Sequence, residues 1–150
     1  MKKLLTLLLG TILAITTLIA YGFSMAELPA GNTENNLNMP QDTKFPKGKK
    51  IYEEKCVVCH QANGKGITGA FPPLANSDYL MADKVRAVEQ VLNGSNEEMV
   101  VNGVTYRTPM PPQVDNKEDA VAVVNYILNA WGNDGGTVSM DEVKHIEIKR

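Results

Sequence analysis

The chain has 150 residues, of which 15 are basic and 17 acidic, with a formal net charge of −2 at pH 7. A chain of this length holds one small domain with attachments. Its mildly acidic balance argues against a nucleic-acid partner, because nucleic-acid binding favours a basic patch.

The first 26 residues predict a targeting segment. Lys2 and Lys3 precede an uncharged stretch over residues 4–23, and Ser24 and Ala26 offer small side chains at the −3 and −1 positions of a cleavage site before Glu27. The stretch is longer than the ~7–15 residues of a signal-peptide core and about long enough to span a bilayer. We expect either a removed signal peptide or a retained membrane anchor. The positive start predicts that the rest lies in the periplasm or on the outer face of the cytoplasmic membrane.

Composition divides the remainder of the chain into three parts. Residues 27–45 are rich in proline, glycine and asparagine and predict a flexible linker. A folded domain is expected over residues 46–132, and residues 133–150 predict a polar C-terminal extension with Val138, Val143 and Ile146 as its apolar members.

The first helix of the domain is predicted at residues 47–55, with Pro46 at its beginning. Gly48 and Tyr52 are four residues apart and therefore share one side. Glycine costs roughly 1 kcal/mol relative to alanine in a helix. It either allows another helix to approach closely or is merely tolerated near a helix start.

Directly after this helix comes Cys56-Val57-Val58-Cys59-His60, the order of a c-type haem attachment site. Two cysteines three residues apart can add across the two vinyl groups of one haem, and the adjacent histidine can bind its iron. A thioredoxin-like thiol pair would need a βαβ context, which the pattern does not offer. A zinc site would need further ligands, and the chain has no other cysteine and only His145 as a second histidine.

The segment that follows predicts a loop and then two helices. Gly64, Gly66 and Gly69 lead to Phe71-Pro72-Pro73-Leu74, and glycines permit a backbone that wraps closely over a flat cofactor. A short turn or helix is expected at residues 77–81 and a longer helix at residues 83–93, which Gly94 ends.

The last part of the domain predicts a hairpin, a rigid segment and a helix. Asn102-Gly103 between β-branched residues is a strong hairpin signal. Prolines on both sides of Met110 fix the backbone there. Asn116 is expected to cap a final helix that runs through Trp131.

Taken in order, these motifs resemble class I cytochrome c over about residues 46–132. The motifs are Gly48-x-x-x-Tyr52, Cys56-x-x-Cys59-His60, Pro72-x-Leu74, Tyr106-x-x-x-Met110-Pro111 and a last helix containing Tyr126. The resemblance implies an all-α fold of about four helices around one covalently bound haem, with the first and last helices crossing. Residues 71–80, 101–103 and 125–133 also look like the cytochrome domains that accompany copper nitrite reductases.

The resemblance also implies a site. Cys56 and Cys59 would bind the haem, His60 and Met110 would ligate its iron, and the carbonyl of Pro72 would accept a hydrogen bond from His60. Competing sixth ligands are Met81, Met99, Met140 and His145, although a methionine more often fills space in a core.

With both axial positions filled, the resemblance implies an electron carrier and not an enzyme, although the carrier could be a module or subunit of an oxidoreductase. Its redox partners would be respiratory proteins, such as a nitrite reductase or a terminal oxidase. A peroxidase-like enzyme and a haem-based gas sensor with a displaceable methionine are the alternatives. Five lysines surround the attachment segment and are expected to form either a docking surface or a solvated face: Lys47, Lys49, Lys50, Lys55 and Lys65.

Overall fold

The computed structural model describes residues 44–149. The predicted targeting segment and almost all of the predicted linker lie outside these residues. The described part contains six helices and one hairpin: α1 Pro46–Lys55, α2 Val57–His60, α3 Asp78–Ala82, α4 Lys84–Asn93, β1 Met99–Val101, β2 Val104–Tyr106, α5 Lys117–Ile127 and α6 Met140–Val143. The expected helical fold with a small hairpin is confirmed, and two short helices, α2 and α6, add to the expected four. Within residues 44–149, no helix is long and apolar enough to cross a membrane.

Helices α1 and α5 cross at Gly48. A Cβ atom at this position would lie 2.0 Å from the carbonyl oxygen of Ala122 and 2.8 Å from the Cβ of Tyr126. Only glycine therefore lets the two helices approach this closely. One turn further along α1, the fully buried ring of Tyr52 lies 5.6 Å from the ring of Tyr126. The close crossing predicted from Gly48 is confirmed, and the alternative of a merely tolerated glycine is wrong.

Local sequence signals set where the helices and the hairpin form. The side chains of Ser77, Asp83 and Asn116 each accept a hydrogen bond from the backbone N–H three residues later, at 2.8–3.2 Å. Each residue thus satisfies one of the free N–H groups at the start of α3, α4 or α5. Asn102 and Gly103 have φ angles of 50° and 78°, the pair of positive values that a type I′ hairpin turn requires.

The last long helix is shorter than predicted. It ends at Ile127 instead of Trp131, because the side-chain amide of Asn133 donates a hydrogen bond to the Ile127 carbonyl at 2.8 Å. Trp131 has a φ of 54° and lies outside the helix. Its indole N–H donates to the carbonyl of Ala62 at 2.9 Å, and its ring lies 4.9 Å from that of Tyr52. Trp131 therefore joins the haem-attachment loop to the helix crossing.

Residues 133–149 complete the core. Val138, Val143 and Ile146 are buried at 2%, 0% and 6% exposure. The side chain of Asn125 in α5 bonds both backbone groups of Val138, accepting from its N–H at 2.7 Å and donating to its carbonyl at 3.0 Å. The segment before α6 is thus fastened to α5 by one amide side chain, and the three apolar residues of this part of the chain are buried.

Candidate haem site

A cavity of about 340 Å³ is lined by residues of α2, α4, the hairpin and residues 108–113, most of them apolar. All five residues predicted for the haem site line this cavity: Cys56, Cys59, His60, Pro72 and Met110. Residues that are up to 54 positions apart in the chain are therefore brought to one place. A mainly apolar cavity with a few polar groups is the usual form of a cofactor site.

The ring of His60 is held by a backbone carbonyl. Its Nδ1 lies 2.9 Å from the carbonyl oxygen of Pro72. A carbonyl can only accept, so Nδ1 carries the proton and Nε2 keeps its lone pair for a metal. Burial lowers the pKa of His60, and the bond to Pro72 offsets only part of that effect. A neutral imidazole with a fixed tautomer is the form that binds iron.

The backbone of Gly66 lies directly against the Pro72 carbonyl. Gly66 has a φ of 61°, and its N–H donates to the carbonyl of His60 at 2.9 Å. A Cβ atom on Gly66 would lie 2.3 Å from the carbonyl oxygen of Phe71 and 2.6 Å from that of Pro72. Position 66 therefore needs glycine both for its positive φ and for space.

The two thiols stand on the cavity wall. Cys56 is 7% exposed, Cys59 is half-buried, and the two are not joined in a disulfide. Burial, followed by the neighbouring Cys59, raises the pKa of the Cys56 thiol to about 11. Both thiols line the cavity beside His60, and neither is used in a disulfide.

The backbone of Met110 is fixed from outside the cavity. Its N–H and its carbonyl each form a 2.8 Å hydrogen bond with the backbone of Ser95. A Cβ atom on Gly94 would lie 2.5 Å from the Met110 carbonyl oxygen, so a glycine is needed where α4 ends. Pro109 and Pro111 restrict the chain on both sides. Met110 is therefore held in position before any ligand binds.

The structure reduces the number of residues that could compete with Met110 as the sixth ligand of the haem iron. Met81 and Met140 are 37% and 39% exposed, His145 is exposed, and none of the three lines the cavity. Met99 does line it, together with Val101. Among the residues that the structure describes, Met99 is thus the methionine that competes with Met110.

Arg86 is a cavity residue to which the sequence analysis gave no role. Its guanidinium lies 3.7 Å over the ring of Tyr79 and donates a hydrogen bond to the carbonyl of Tyr79. Both residues line the cavity. The signal in the sequence was weak: Asp83, Arg86 and Gln90 follow a helical spacing of three and four, which is also typical of a solvated helix face.

These residues fit a covalently bound haem. The cavity is mainly apolar, and it presents two thiols, an imidazole with a free Nε2, a methionine on a fixed backbone and a guanidinium. Thiolates, imidazole and thioether are the groups by which proteins hold haem and its iron.

Comparison with known proteins gives the family. The family profile "Cytochrome c" matches residues 45–131. A cytochrome c-552 of Thermus thermophilus is 38% identical over an alignment of 114 positions, and this alignment covers 69% of this chain and 86% of that protein. The chain therefore belongs to the cytochrome c family. It is a class I mono-haem c-type cytochrome, with haem c and its iron covalently bound.

Two further relatives are longer proteins. The cytochrome c subunit of the alcohol dehydrogenase (quinone) of Gluconobacter oxydans is 28% identical over 66% of this chain and 21% of that subunit. The thiosulfate dehydrogenase of Thiomonas intermedia is 41% identical over an alignment of 61 positions, which covers 37% of this chain and 19% of that protein. The match therefore covers about a fifth of each of these two relatives.

Proposed function

We propose that this chain carries single electrons between respiratory redox proteins and performs no reaction on a small-molecule substrate. The observation that carries the proposal is that His60 and Met110 line the same cavity, each held by hydrogen bonds that involve backbone groups. When both bind the iron, no coordination position is open to a substrate. Haem supplies the one-electron chemistry when it is bound.

Each residue of the site has one role in this proposal. Cys56 and Cys59 would hold the haem through thioether bonds to its two vinyl groups. His60 would bind the iron through Nε2, and the Pro72 carbonyl orients its ring. Met110 offers a soft thioether, which favours the reduced state and raises the reduction potential.

An exposed wall of the cavity would give a partner access. Val58, between the two cysteines, lines the cavity and is 82% exposed. The attachment segment therefore reaches the protein surface. A partner that docks there would exchange electrons across a thin layer of protein.

The lysines near this segment mostly belong to ion pairs. Lys47 lies 2.6 Å from Asp119, and Lys49 and Lys50 pair with the glutamates four residues later in α1. Exposed pairs of this kind contribute little free energy. These ion pairs also lower the net positive charge of the surface around the attachment segment. This supports a solvated helix face and argues against a lysine docking surface.

For the partners we propose respiratory oxidoreductases. A nitrite reductase or a terminal oxidase is the acceptor that the sequence resemblance favours, and the longer relatives indicate that similar domains occur as subunits of dehydrogenases. Stopped-flow oxidation of the reduced protein by a purified copper nitrite reductase tests the first acceptor. Oxidation that saturates with reductase concentration supports it, and oxidation no faster than in buffer argues against it.

We further propose that the chain acts outside the cytoplasm, either released or anchored by its first 26 residues. The intact mass of the exported protein tests this. A chain that begins at Glu27 indicates a removed signal peptide, whereas a chain that retains residues 1–26 and needs detergent for recovery indicates an anchor. A haem-loaded chain found only in the cytoplasm would contradict export.

Carbon monoxide binding to the reduced protein tests the proposed function. We expect the wild-type protein to bind carbon monoxide slowly or not at all, because Met110 occupies the position that the gas needs. Met110→Ala should bind it rapidly. Rapid binding by the wild-type protein would contradict the carrier and favour the peroxidase-like enzyme or the gas sensor.

A further inference from the structure

The segment that carries Met110 continues the hairpin formed by β1 and β2. Three pairs of residues face each other in one register from the hairpin toward its base: Met99 and Tyr106, Glu98 and Arg107, and Ser95 and Met110. The first pair belongs to the strands, the second forms an ion pair at 2.6 Å, and the third exchanges two backbone hydrogen bonds of 2.8 Å. Residues 95–110 therefore form one hairpin arm, with Met110 at its base and the Asn102-Gly103 turn at its tip.

Asn102 fastens the tip of the hairpin arm to the start of α3. Its backbone N–H donates to the Oδ1 of Asp78 at 2.7 Å, and its own Oδ1 accepts the backbone N–H of Asp78 at 3.0 Å. Its side-chain amide also donates to the carbonyl of Asn76 at 3.1 Å. A hairpin turn of this type favours asparagine or glycine for its positive φ, but it does not need a side chain that reaches another element. The three bonds are therefore additional to the turn.

Within residues 44–149, the hairpin has few other contacts with the helices. Strand β1 packs against α3 and no other helix, and β2 packs against none. Val101 and Tyr106 are buried at 1% and 4% exposure, yet neither belongs to the apolar cluster that joins the helices. Both line the haem cavity, together with Met99. The inner face of the hairpin is thus a wall of the cavity, and the polar bonds at its tip hold this wall in position.

The loop to which Asn102 is bonded is itself held from the other side. Asn76 has a φ of 52°, and its N–H donates to the Oδ1 of Asn133 at 2.8 Å. The Asn133 amide donates to the carbonyls of Leu74 and Ile127 at 3.0 and 2.8 Å. These bonds connect the loop to the end of α5. The hairpin arm is therefore fastened to a loop that is anchored on a core helix.

We propose that Asn102 is a positioning residue for the sixth ligand of the iron. By holding the tip of the hairpin arm, it keeps the hairpin closed over the cavity, and the closed arm keeps Met110 where its sulfur can bind. Opening of the arm would carry Met110 away and admit a small ligand. The inference rests on the proposed role of Met110, and it adds the residue that controls how often this ligand is released.

The bonds of Asn102 should therefore set the rate at which the sixth position becomes free. A gas that needs this position binds only when the hairpin arm is open, so its binding rate follows the population of the open arm. Asn102→Gly keeps a residue that accepts positive φ, but it removes the two bonds made by the side chain, to Asp78 and Asn76. The loss of two ordinary hydrogen bonds changes such a population by about tenfold.

Carbon monoxide binding to the reduced holoprotein tests the inference. Asn102→Gly should bind the gas about tenfold faster than the wild-type protein, while the oxidised variant keeps the iron–methionine absorbance. Gly103→Ala is the matched control, because Gly103 has a φ of 78° in the same turn and a Cβ atom there meets nothing within 4 Å. Its backbone strain is present in the open and in the closed arm, so the binding rate should stay at the wild-type value. Equal rates in the two variants would overturn the proposal.

Hydrogen exchange of the same holoproteins separates this inference from the proposed function. The Met110 N–H, which is bonded to Ser95, should exchange faster in Asn102→Gly and at the wild-type rate in Gly103→Ala. The N–H of Leu128, buried at the end of α5, should respond to both variants, because both destabilise the whole fold. If exchange at Met110 is the same in both variants, the proposal is wrong. Rapid carbon monoxide binding by the wild-type protein would instead contradict the electron carrier, and exchange at Met110 would still decide whether Asn102 holds the hairpin arm.

Discussion

The Pro72 carbonyl oxygen lies 2.9 Å from the Nδ1 of His60, and the same oxygen would lie 2.6 Å from a Cβ atom at position 66. The glycine loop and the iron-binding histidine that we propose are therefore linked through one carbonyl group. A side chain at position 66 must displace this carbonyl, which weakens its bond to the imidazole.

Gly66→Ala should therefore lower stability and alter the haem. We expect a loss of about 1–3 kcal/mol from the clash, in addition to roughly 1 kcal/mol for a non-glycine residue at positive φ. A weaker bond to Pro72 makes the imidazole a poorer donor, so the reduction potential should rise. Chemical denaturation and potentiometry of the holoprotein measure both effects.

Gly69→Ala is the matched control for this variant. Gly69 has a φ of 79° in the same loop, and a Cβ atom there would meet nothing within 4 Å. Gly69→Ala should therefore show the free-energy cost of a non-glycine residue at positive φ without a steric clash. Equal losses in the two variants would mean that the Pro72 carbonyl does not depend on position 66.

The crossing of α1 and α5 predicts whether Gly48→Ala raises or lowers the stability of the protein. In an isolated helix, Gly48→Ala would stabilise by about 1 kcal/mol. In this protein the new Cβ would lie 2.0 Å from the Ala122 carbonyl oxygen, so the helices must separate. We expect a lower melting temperature, with a loss of about 1–3 kcal/mol. An unchanged or higher melting temperature would contradict the close crossing.

The features that the sequence predicted well depend on neighbouring residues. A cysteine-histidine motif, an Asn-Gly turn and a cap before a helix each act over a few positions, and Asn102-Gly103 and Asn116 behave as expected. The close helix crossing at Gly48 was also predicted from the sequence, because a glycine inside a helix costs free energy unless its small size is used.

The features that the sequence did not predict depend on distant contacts. The end of α5 is set by Asn133, and the burial of Val138 is secured by Asn125. Nothing local indicates which polar side chains serve in this way. Likewise, Arg86 lines the cavity because of how α4 packs, and the sequence named Met99 only as one of several competing ligands without showing which of them reaches the cavity.

The Lys84–Glu142 pair predicts a pH dependence of stability. Its bond to Lys84, and then bonds from Ser139, lower the pKa of Glu142 from 4.5 to about 2. A lowered folded-state pKa contributes stability above pH 4.5 that is lost as the pH falls toward 2. Glu142→Gln should therefore flatten the stability profile between these values, as measured by urea denaturation.

Asp141→Asn is the control for this window. Asp141 is the exposed neighbour of Glu142 and has no ion pair among residues 44–149. Its replacement should leave the acid side of the profile unchanged. A profile that keeps its slope in Glu142→Gln, or loses it in Asp141→Asn, would assign the effect to other carboxylates.

Met110 and Met99 line one cavity, so a paired substitution can decide which sulfur binds the iron. Leucine fills a similar volume but cannot ligate. Met110 is fixed by Ser95 and by its flanking prolines, whereas Met99 belongs to the hairpin and pairs with Tyr106. The oxidised protein should show a weak iron–sulfur charge-transfer band from the ligand that binds.

The most direct test of the account is this absorption band in Met110→Leu and Met99→Leu holoproteins. We expect Met110→Leu to lose the band, to have a lower reduction potential and to bind carbon monoxide rapidly, while Met99→Leu keeps the wild-type band and potential. A band that survives in Met110→Leu and disappears in Met99→Leu would show that Met99, in the hairpin, is the iron ligand. A wild-type protein without the band would contradict histidine–methionine ligation and, with it, the carrier site described above.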